Sequence, residues 1–270
     1  MLSLLSLLSL CYRRGMTPTS RVTVITSAAQ GIGRRTAELC AQRGDTLVLL
    51  DLQPAALPEG AEGLALTGDL GDEAVVLSHA ATIRELFGRA DVLVNNAGIS
   101  FIIPAETTSA QDFRRVLEVN LVAPFLLCRE LGAMMLARGA GSIVNVASVA
   151  GLLGIADRAA YNASKHGLIG LTRTLAAEWG GRGVRVNAIC PGWVKTEMDA
   201  RDMGGGAYTN EDIEGRVPMN RFATPDDIAR GILYLADDAL SPFVNGVALS
   251  VDGGWAADGS WESLRRRKQR

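Results

Sequence analysis

The sequence predicts an α/β fold: one domain holding a doubly wound, seven-stranded parallel sheet with helices on both faces. Three observations predict it. From Arg21 onward, short apolar runs alternate regularly with longer helical stretches, the rhythm of repeated β-α units. Most of the short runs are Val, Ile and Leu without polar alternation, which suits strands covered on both faces. Hydrophobic residues make up 48% of 270, and no break in composition or fixed-period repeat divides the chain, so a single core is expected.

The elements follow in order. Strands are expected at Val22 to Thr26, Thr46 to Leu50, Leu64 to Leu66, Val92 to Asn95, Ser142 to Val146, Val184 to Ile189 and Val247 to Val251. Helical windows separate them: Ile32 to Arg43, Glu73 to Phe87, Ala110 to Arg138, Arg158 to Trp179 and Pro225 to Ala236. Two of these carry start signals. Ser109-Ala-Gln-Asp112 resembles a capping box, and Thr224-Pro-Asp-Asp227 puts Pro at the first helical position. Gln53 to Gly63, with two Pro and two Gly, reads as a loop or one short turn in place of a crossover helix. Residues 194–222, with Gly204-Gly-Gly206, are weakly patterned and read as a lid or substrate loop.

The boundaries drawn from this pattern are 1–20, an N-terminal extension outside the folded unit; 21–257, the α/β domain; and 258–270, a basic tail. The first ten residues are apolar but too short to span a bilayer, and their two Arg follow the apolar run, the reverse of a secretory signal. Met16 leads into the first strand, so residues 1–15 read as a translated upstream extension, disordered or loosely packed. The tail Arg265 to Arg270 reads as a solvated terminus.

Composition excludes several classes. With 27 basic against 29 acidic residues, no global basic field exists to attract a phosphate backbone, and nucleic acid is not expected as a partner. No membrane partner is expected either. Cys11, Cys40, Cys128 and Cys190 lie far apart, without zinc or disulfide spacing, and read as buried or incidental thiols. His79 and His166 have no metal-type neighbours at helical or turn spacing, so no metal is expected.

After the first strand comes Thr26-Ser-Ala-Ala-Gln-Gly31-Ile-Gly33 and then a helix. Backbone N–H groups at such a strand-turn-helix junction can hold a pyrophosphate, and glycine lets the backbone approach it. A tight turn with no ligand fits the glycines equally well. Asp51 strengthens the nucleotide reading: it ends the second strand about 20 residues on, where a carboxylate can accept from both ribose hydroxyls. It would repel a 2′-phosphate, and Leu52 offers no cation beside it, so NAD is expected over NADP. Arg34 and Arg35 keep NADP open.

From Val22 to Trp255 these residues resemble the short-chain dehydrogenases/reductases, whose turn is usually Thr-Gly-x-x-x-Gly-x-Gly; Ser27 replaces the first glycine here. The resemblance implies a Rossmann-type fold and a nicotinamide cofactor held by Ser27, Gln30, Gly31, Ile32 and Gly33. Asp51, Asp69 and Leu70 would meet its adenosine end, and Asn95-Asn96-Ala97-Gly98 resembles the motif closing the fourth strand. Pro191, Gly192, Val194 and Thr196 would face its nicotinamide side, and Val251-Asp-Gly-Gly254 matches the usual last strand and turn. If the turn needs φ > 0, Ser27 costs about 1 kcal/mol there.

Tyr161-Asn-Ala-Ser-Lys165 puts a phenol and an ammonium on one helix face. With four Tyr and three Lys in 270 residues, that spacing is expected by chance only about 0.04 times. A nearby positive charge favours phenolate, so Lys165 can bring Tyr161 into a useful acid/base range, and both would also contact the cofactor. Ser148 follows the fifth strand and should reach the carboxyl edge of the sheet, where it could hold the substrate oxygen. Asn120, inside a helical window, reads either as a solvent-facing or kink residue or, by resemblance, as the active-site Asn that holds a water linking Lys165 to solvent. The implied tetrad is Asn120, Ser148, Tyr161 and Lys165. Asn145, His166 and Asn187 are more simply explained by strand-end hydrogen bonds or a helix face.

The expected activity is NAD-dependent interconversion of a secondary alcohol and a ketone, on a sugar, polyol or hydroxy acid. A 3-oxoacyl-thioester reductase of the same family is the alternative, and a non-catalytic nucleotide sensor or scaffold is the alternative from another class, since fold alone does not decide function. The pocket is expected from Val149 to Arg158 and from Trp193, Met198, Met203 and Tyr208. By analogy with the family, the windows Ala110 to Arg138 and Arg158 to Trp179 would pair in a homotetramer. The cytoplasm is the expected compartment.

Overall fold

The computed structural model describes residues 20–197, 208–261 and 264–265. Most of the N-terminal extension, Cys11, Met198, Met203, Gly204-Gly-Gly206 and the end of the basic tail lie outside the described residues.

Seven parallel strands form one sheet: β1 (Val22–Thr26), β2 (Thr46–Asp51), β3 (Gly63–Thr67), β4 (Val92–Asn95), β5 (Gly141–Val146), β6 (Val184–Pro191) and β7 (Ala248–Val251). Their order is β3-β2-β1-β4-β5-β6-β7, so the chain reverses its direction of travel between β1 and β4. Every pairing is parallel. The main helices are α1 (Gly31–Gln42), α2 (Glu73–Phe87), α3 (Ala110–Leu117), α4 (Ala123–Arg138), α5 (Ala159–Trp179), α6 (Asn210–Arg216) and α7 (Pro225–Ala236).

Strand alternation explains the two-faced core. Val22, Val24, Val48, Leu50, Leu93 and Ile143 point to one side, where α2, α4 and α5 bury Ile83, Leu127, Leu131 and Trp179. Ile25, Leu47, Leu49, Val94, Val144 and Ile189 point to the other, under Ala37 and Leu39 of α1 and Ile228 and Ile232 of α7. Both faces are covered, which is why these strands read as unbroken apolar runs.

Several expected boundaries shift. β2 runs one residue further, to Asp51, β3 extends at both ends, and β6 continues to Pro191. No helix forms between β2 and β3, in keeping with the loop read for Gln53 to Gly63. The Ser109 signal is half a capping box: Ser109 Oγ accepts from Asp112 N at 3.0 Å, but the Asp112 carboxylate takes the Ser109 hydroxyl proton. The expected single helix from Ala110 to Arg138 is interrupted by a π-turn at Glu118–Val122. That stretch is long and apolar enough to cross a membrane by length and composition, yet it is a core helix, with Leu126, Leu127, Leu131 and Met135 packed in the core.

The weakly patterned region holds α6, started by a full capping box between Thr209 and Asp212. The first residues of the tail are not simply solvated, because Arg265 reaches Asp258 at 3.3 Å. Cys40, Cys128 and Cys190 are buried and free, and burial pushes the thiols of Cys40 and Cys128 up to about 12. Among the described residues, no three His, Cys, Asp or Glu side chains gather as a metal-binding group.

Candidate active site

A crevice opens at the carboxyl ends of β1, β4 and β5, where the strand order reverses and open α/β sheets hold ligands. Its enclosed volume is ≈ 210 Å³, and ≈ 1140 Å³ with the open mouth counted.

One end is the glycine turn. Ser27 adopts φ 52 and Gly31 φ 56, both left-handed. The serine is held in that conformation from two sides: its N–H donates to Leu50 O at 2.7 Å, and Asn96 Nδ2 donates to the carbonyls of Thr26 and Ser27, each at 3.1 Å. A Cβ at Gly33 would lie 2.0 Å from Ser27 O, so only glycine lets α1 start this close to β1. Gln30, before α1, makes no side-chain capping bond, and the first turn of α1 has no acidic residue. The N–H groups and positive dipole end therefore face the crevice without a cap from their own helix, as an anion site requires. Glu197 partly opposes this, since its Oε2 is 3.4 Å from the place a Gly31 Cβ would take.

Asp51 closes the turn from behind. Its two carboxylate oxygens accept from Ala29 N and Gln53 N, each at 2.9 Å, leaving lone pairs for further donors. Asp69 accepts from Arg115 at 2.7 Å and from Gly71 N at 2.9 Å, and the guanidinium holds its carboxyl below the usual carboxylate range.

The other end gathers Ser148, Tyr161 and Lys165. Tyr161 is in the first turn of α5, and Lys165, one turn on, has its Nζ 5.6 Å from the Tyr161 ring centroid. Lys165 is buried, and its Nζ donates to Val146 O at 2.8 Å. Burial pushes its ammonium down to about 8, with Cys190 opposing the shift. Ser148 stands just past β5; its Oγ accepts from Ala150 N at 3.1 Å and keeps a proton to donate. Ser148, Tyr161 and Lys165 line the crevice together with the glycine turn.

The family model described as enoyl-(acyl carrier protein) reductase matches residues 27–256. The chain is 41% identical over 247 residues to D-threitol dehydrogenase of Mycolicibacterium smegmatis, covering 87% of this chain and 92% of that one. The chain belongs to the short-chain dehydrogenase/reductase family. Among solved structures, a gluconate 5-dehydrogenase candidate from Beutenbergia cavernae with bound NADP matches with TM-score 0.82 and 38% identity, over 90% of this chain and 99% of that one. A 4-hydroxyisoleucine dehydrogenase complexed with NADH matches with TM-score 0.79 and 34% identity, over 88% and 100%. A nicotinamide dinucleotide is thus the cofactor class of these short-chain dehydrogenases/reductases, and an uncapped glycine turn that a Cβ would fill fits it.

Of the residues predicted from sequence, Ser27, Gln30, Gly31, Ile32, Asn96, Gly98, Pro191, Gly192, Val194 and Thr196 line the crevice. Others stand behind it. Gly33 supports the turn, Ala97 N donates to Thr26 Oγ1 at 2.8 Å, and Leu70 is in the core. Asp51 is buried behind the turn, and Asp69 is paired with Arg115.

Asn120 is fully buried, and so is not a solvent-facing residue. It also does not line the crevice: its Oδ1 accepts from Ile99 N at 2.8 Å, and its Nδ2 donates to Ile99 O at 2.9 Å and Ser164 Oγ at 3.0 Å. Both amide protons are spent, so the side chain has no donor left for a water. It still neighbours Lys165, since a Cβ at Gly98 would be 3.4 Å from both Asn120 Oδ1 and Lys165 Nζ.

Asn145 and Asn187 are structural, Asn145 bonding Asn95 at 2.8 Å and Thr172 at 2.9 Å, and Asn187 bonding Val244 O at 2.9 Å. Sequence reading missed Glu197, the Val146 carbonyl and Asn96's grip on the Ser27 turn. Only Glu197 left a signal, as the charged neighbour of Thr196.

Proposed function

We propose that this protein is an oxidoreductase interconverting a secondary alcohol and a ketone with NAD in preference to NADP. The observation that carries the reading is the convergence of Ser148, Tyr161 and Lys165 on one wall of a crevice whose other end is an uncapped glycine turn. When bound, the dinucleotide supplies a hydride acceptor for oxidation and a hydride donor for reduction. Ser27, Gln30, Gly31 and Ile32 would hold its phosphates, and Pro191, Gly192, Val194 and Thr196 would border its nicotinamide ring.

In oxidation, Ser148 Oγ donates to the substrate oxygen and fixes it beside Tyr161, whose phenolate takes the hydroxyl proton as the carbon gives up its hydride. The nearby Lys165 ammonium favours that phenolate. The proton then passes by way of Lys165 to water, and Asn120 acts by holding the Ile99 backbone and Ser164 in place around the lysine.

Three observations support NAD. Asp51 ends β2 where the adenosine ribose would lie, and Leu52 beside it is exposed and uncharged. The two cations nearby are committed elsewhere, Arg34 to Glu38 at 2.9 Å and Arg35 to Asp226 at 2.7 Å. A substrate among sugars, polyols and hydroxy acids agrees with the D-threitol dehydrogenase relative, whose substrate is a polyol. Residues 21–257 as the catalytic unit, a homotetramer and a cytoplasmic setting belong to this proposal.

NADH and NADPH titrations followed by nicotinamide fluorescence, then NAD-dependent oxidation of secondary alcohols, test it. Tyr161→Phe is expected to lower kcat by about 10²–10⁴-fold with NADH affinity unchanged. NADH binding with no turnover of any alcohol or ketone would favour the sensor reading instead.

A further inference from the structure

The substrate end of the crevice is walled by aromatic rings that the proton relay does not use. Trp193 follows Pro191-Gly192, Tyr208 precedes α6, and both line the crevice with Ser148 and Tyr161. Trp193 stacks on Trp255 with centroids 4.2 Å apart and 24° between planes. Tyr208 meets Trp193 edge-on at 6.4 Å and 86°. Arg216 holds Trp255 in turn, its guanidinium carbon 4.5 Å from the ring centroid and its Nη2 donating to the Trp255 carbonyl at 3.3 Å.

The three rings are held in place yet remain only partly buried. Large aromatic rings left half-exposed and rigid around a cavity forgo burial in folding and offer it to a ligand at low entropic cost. Polar groups at this end beyond Ser148 and Tyr161 include Arg158, the Tyr208 hydroxyl and the Trp193 indole N–H, beside the apolar Val149 and Ile155. Arg158 donates to Ser100 Oγ at 2.7 Å. A ring can lay its C–H face on Trp193 and present one carbinol to Ser148 and Tyr161.

We infer that the substrate carries its secondary alcohol on a six-membered ring, whose C–H face packs on Trp193 and Tyr208. This rests on the secondary-alcohol reading, and its test separates the two. Binding of cyclohexanone and of 3-hexanone is measured by calorimetry, with and without saturating NADH. Oxidation of cyclohexanol against 3-hexanol, and of myo-inositol against D-sorbitol, is measured in parallel.

The ring is expected to be preferred by about five- to tenfold in ketone binding and in at least one alcohol pair, and the preferred pair shows whether the ring is bare or hydroxylated. Trp193→Leu should reduce the preference to within about twofold while NADH affinity holds, and Tyr208→Leu, outside the Trp193–Trp255 stack, provides a second variant should the first fail to fold. Equal binding of the two ketones, or a preference that survives in the folded variants, overturns the inference. Ring preference in binding without turnover of any alcohol would support it and sink the activity proposed above.

Discussion

Ser27 carries a left-handed backbone, φ 52, at the place where glycine would be free of strain. The cost of that conformation, roughly 1–2 kcal/mol, exceeds the roughly 0.4–1 kcal/mol that glycine loses through a freer unfolded chain. Ser27→Gly is therefore expected to stabilise the protein by about 0.5 kcal/mol, read as a higher urea midpoint. NADH affinity should stay within about twofold, because Asn96 and Leu50 already hold the turn in its working shape. Lys165 shows the opposite trade. Its native value of about 8 lies below the ordinary 10.5, so between these the unfolded chain binds the proton that the native state has shed. Stability from this group therefore rises with pH across that window, and below about 8 its destabilising effect is complete. Lys165→Met removes the buried charge and leaves Val146 O without its donor; the net expectation is about 1–2 kcal/mol of added stability at pH 7, with turnover lost. A thermal melt checks it, and a lower Tm than the parent would refute it.

Among the elements, the π-turn at Glu118–Val122 is where a regular helix gives way to the site. It brings the Asn120 amide against both backbone groups of Ile99 and against Ser164, three residues after Tyr161. Asn120→Ala would leave both backbone groups of the half-buried Ile99 without their side-chain partner, at about 1–2 kcal/mol. Hydrogen exchange at the Ile99 amide should accelerate, while amides of β1, remote from this clamp, stay protected. Unchanged Ile99 protection would show that the clamp is dispensable. A similar economy holds at α1, whose uncapped N-terminus leaves its N–H groups to a ligand.

Across the whole molecule, acid sensitivity is expected to begin at the β3 edge. His79 of α2 is buried, its Nδ1 has no partner, and its ring bonds the Thr67 backbone. Burial holds its pKa below the ordinary 6.5. As pH falls through 6.5 the unfolded chain takes up the proton first, so native stability declines until the folded imidazole also protonates. Urea midpoints between pH 7.5 and 5.5 should fall in the parent and change less in His79→Leu.

The sheet was legible in the sequence because strands buried on both faces must be apolar throughout, and the seven runs from Val22 to Val251 are. Tyr161 and Lys165 were legible because helical periodicity converts a spacing of four into one face. Asp51 and Ser148 were legible because a parallel sheet gathers its strand ends at one edge. What the sequence by itself determined is thus whatever local period and strand direction dictate: the layer order, the ligand edge and the placing of Tyr161 and Lys165 on one helix face. Only tertiary structure decided the rest. The left-handed Ser27 depends on Asn96, 69 positions away, and the depressed lysine on burial beneath β5. The π-turn depends on Ile99, and the aromatic wall on Trp255 meeting Trp193 from the far end of the chain. Each is a contact between segments distant in sequence, and no local pattern of residues encodes such a contact.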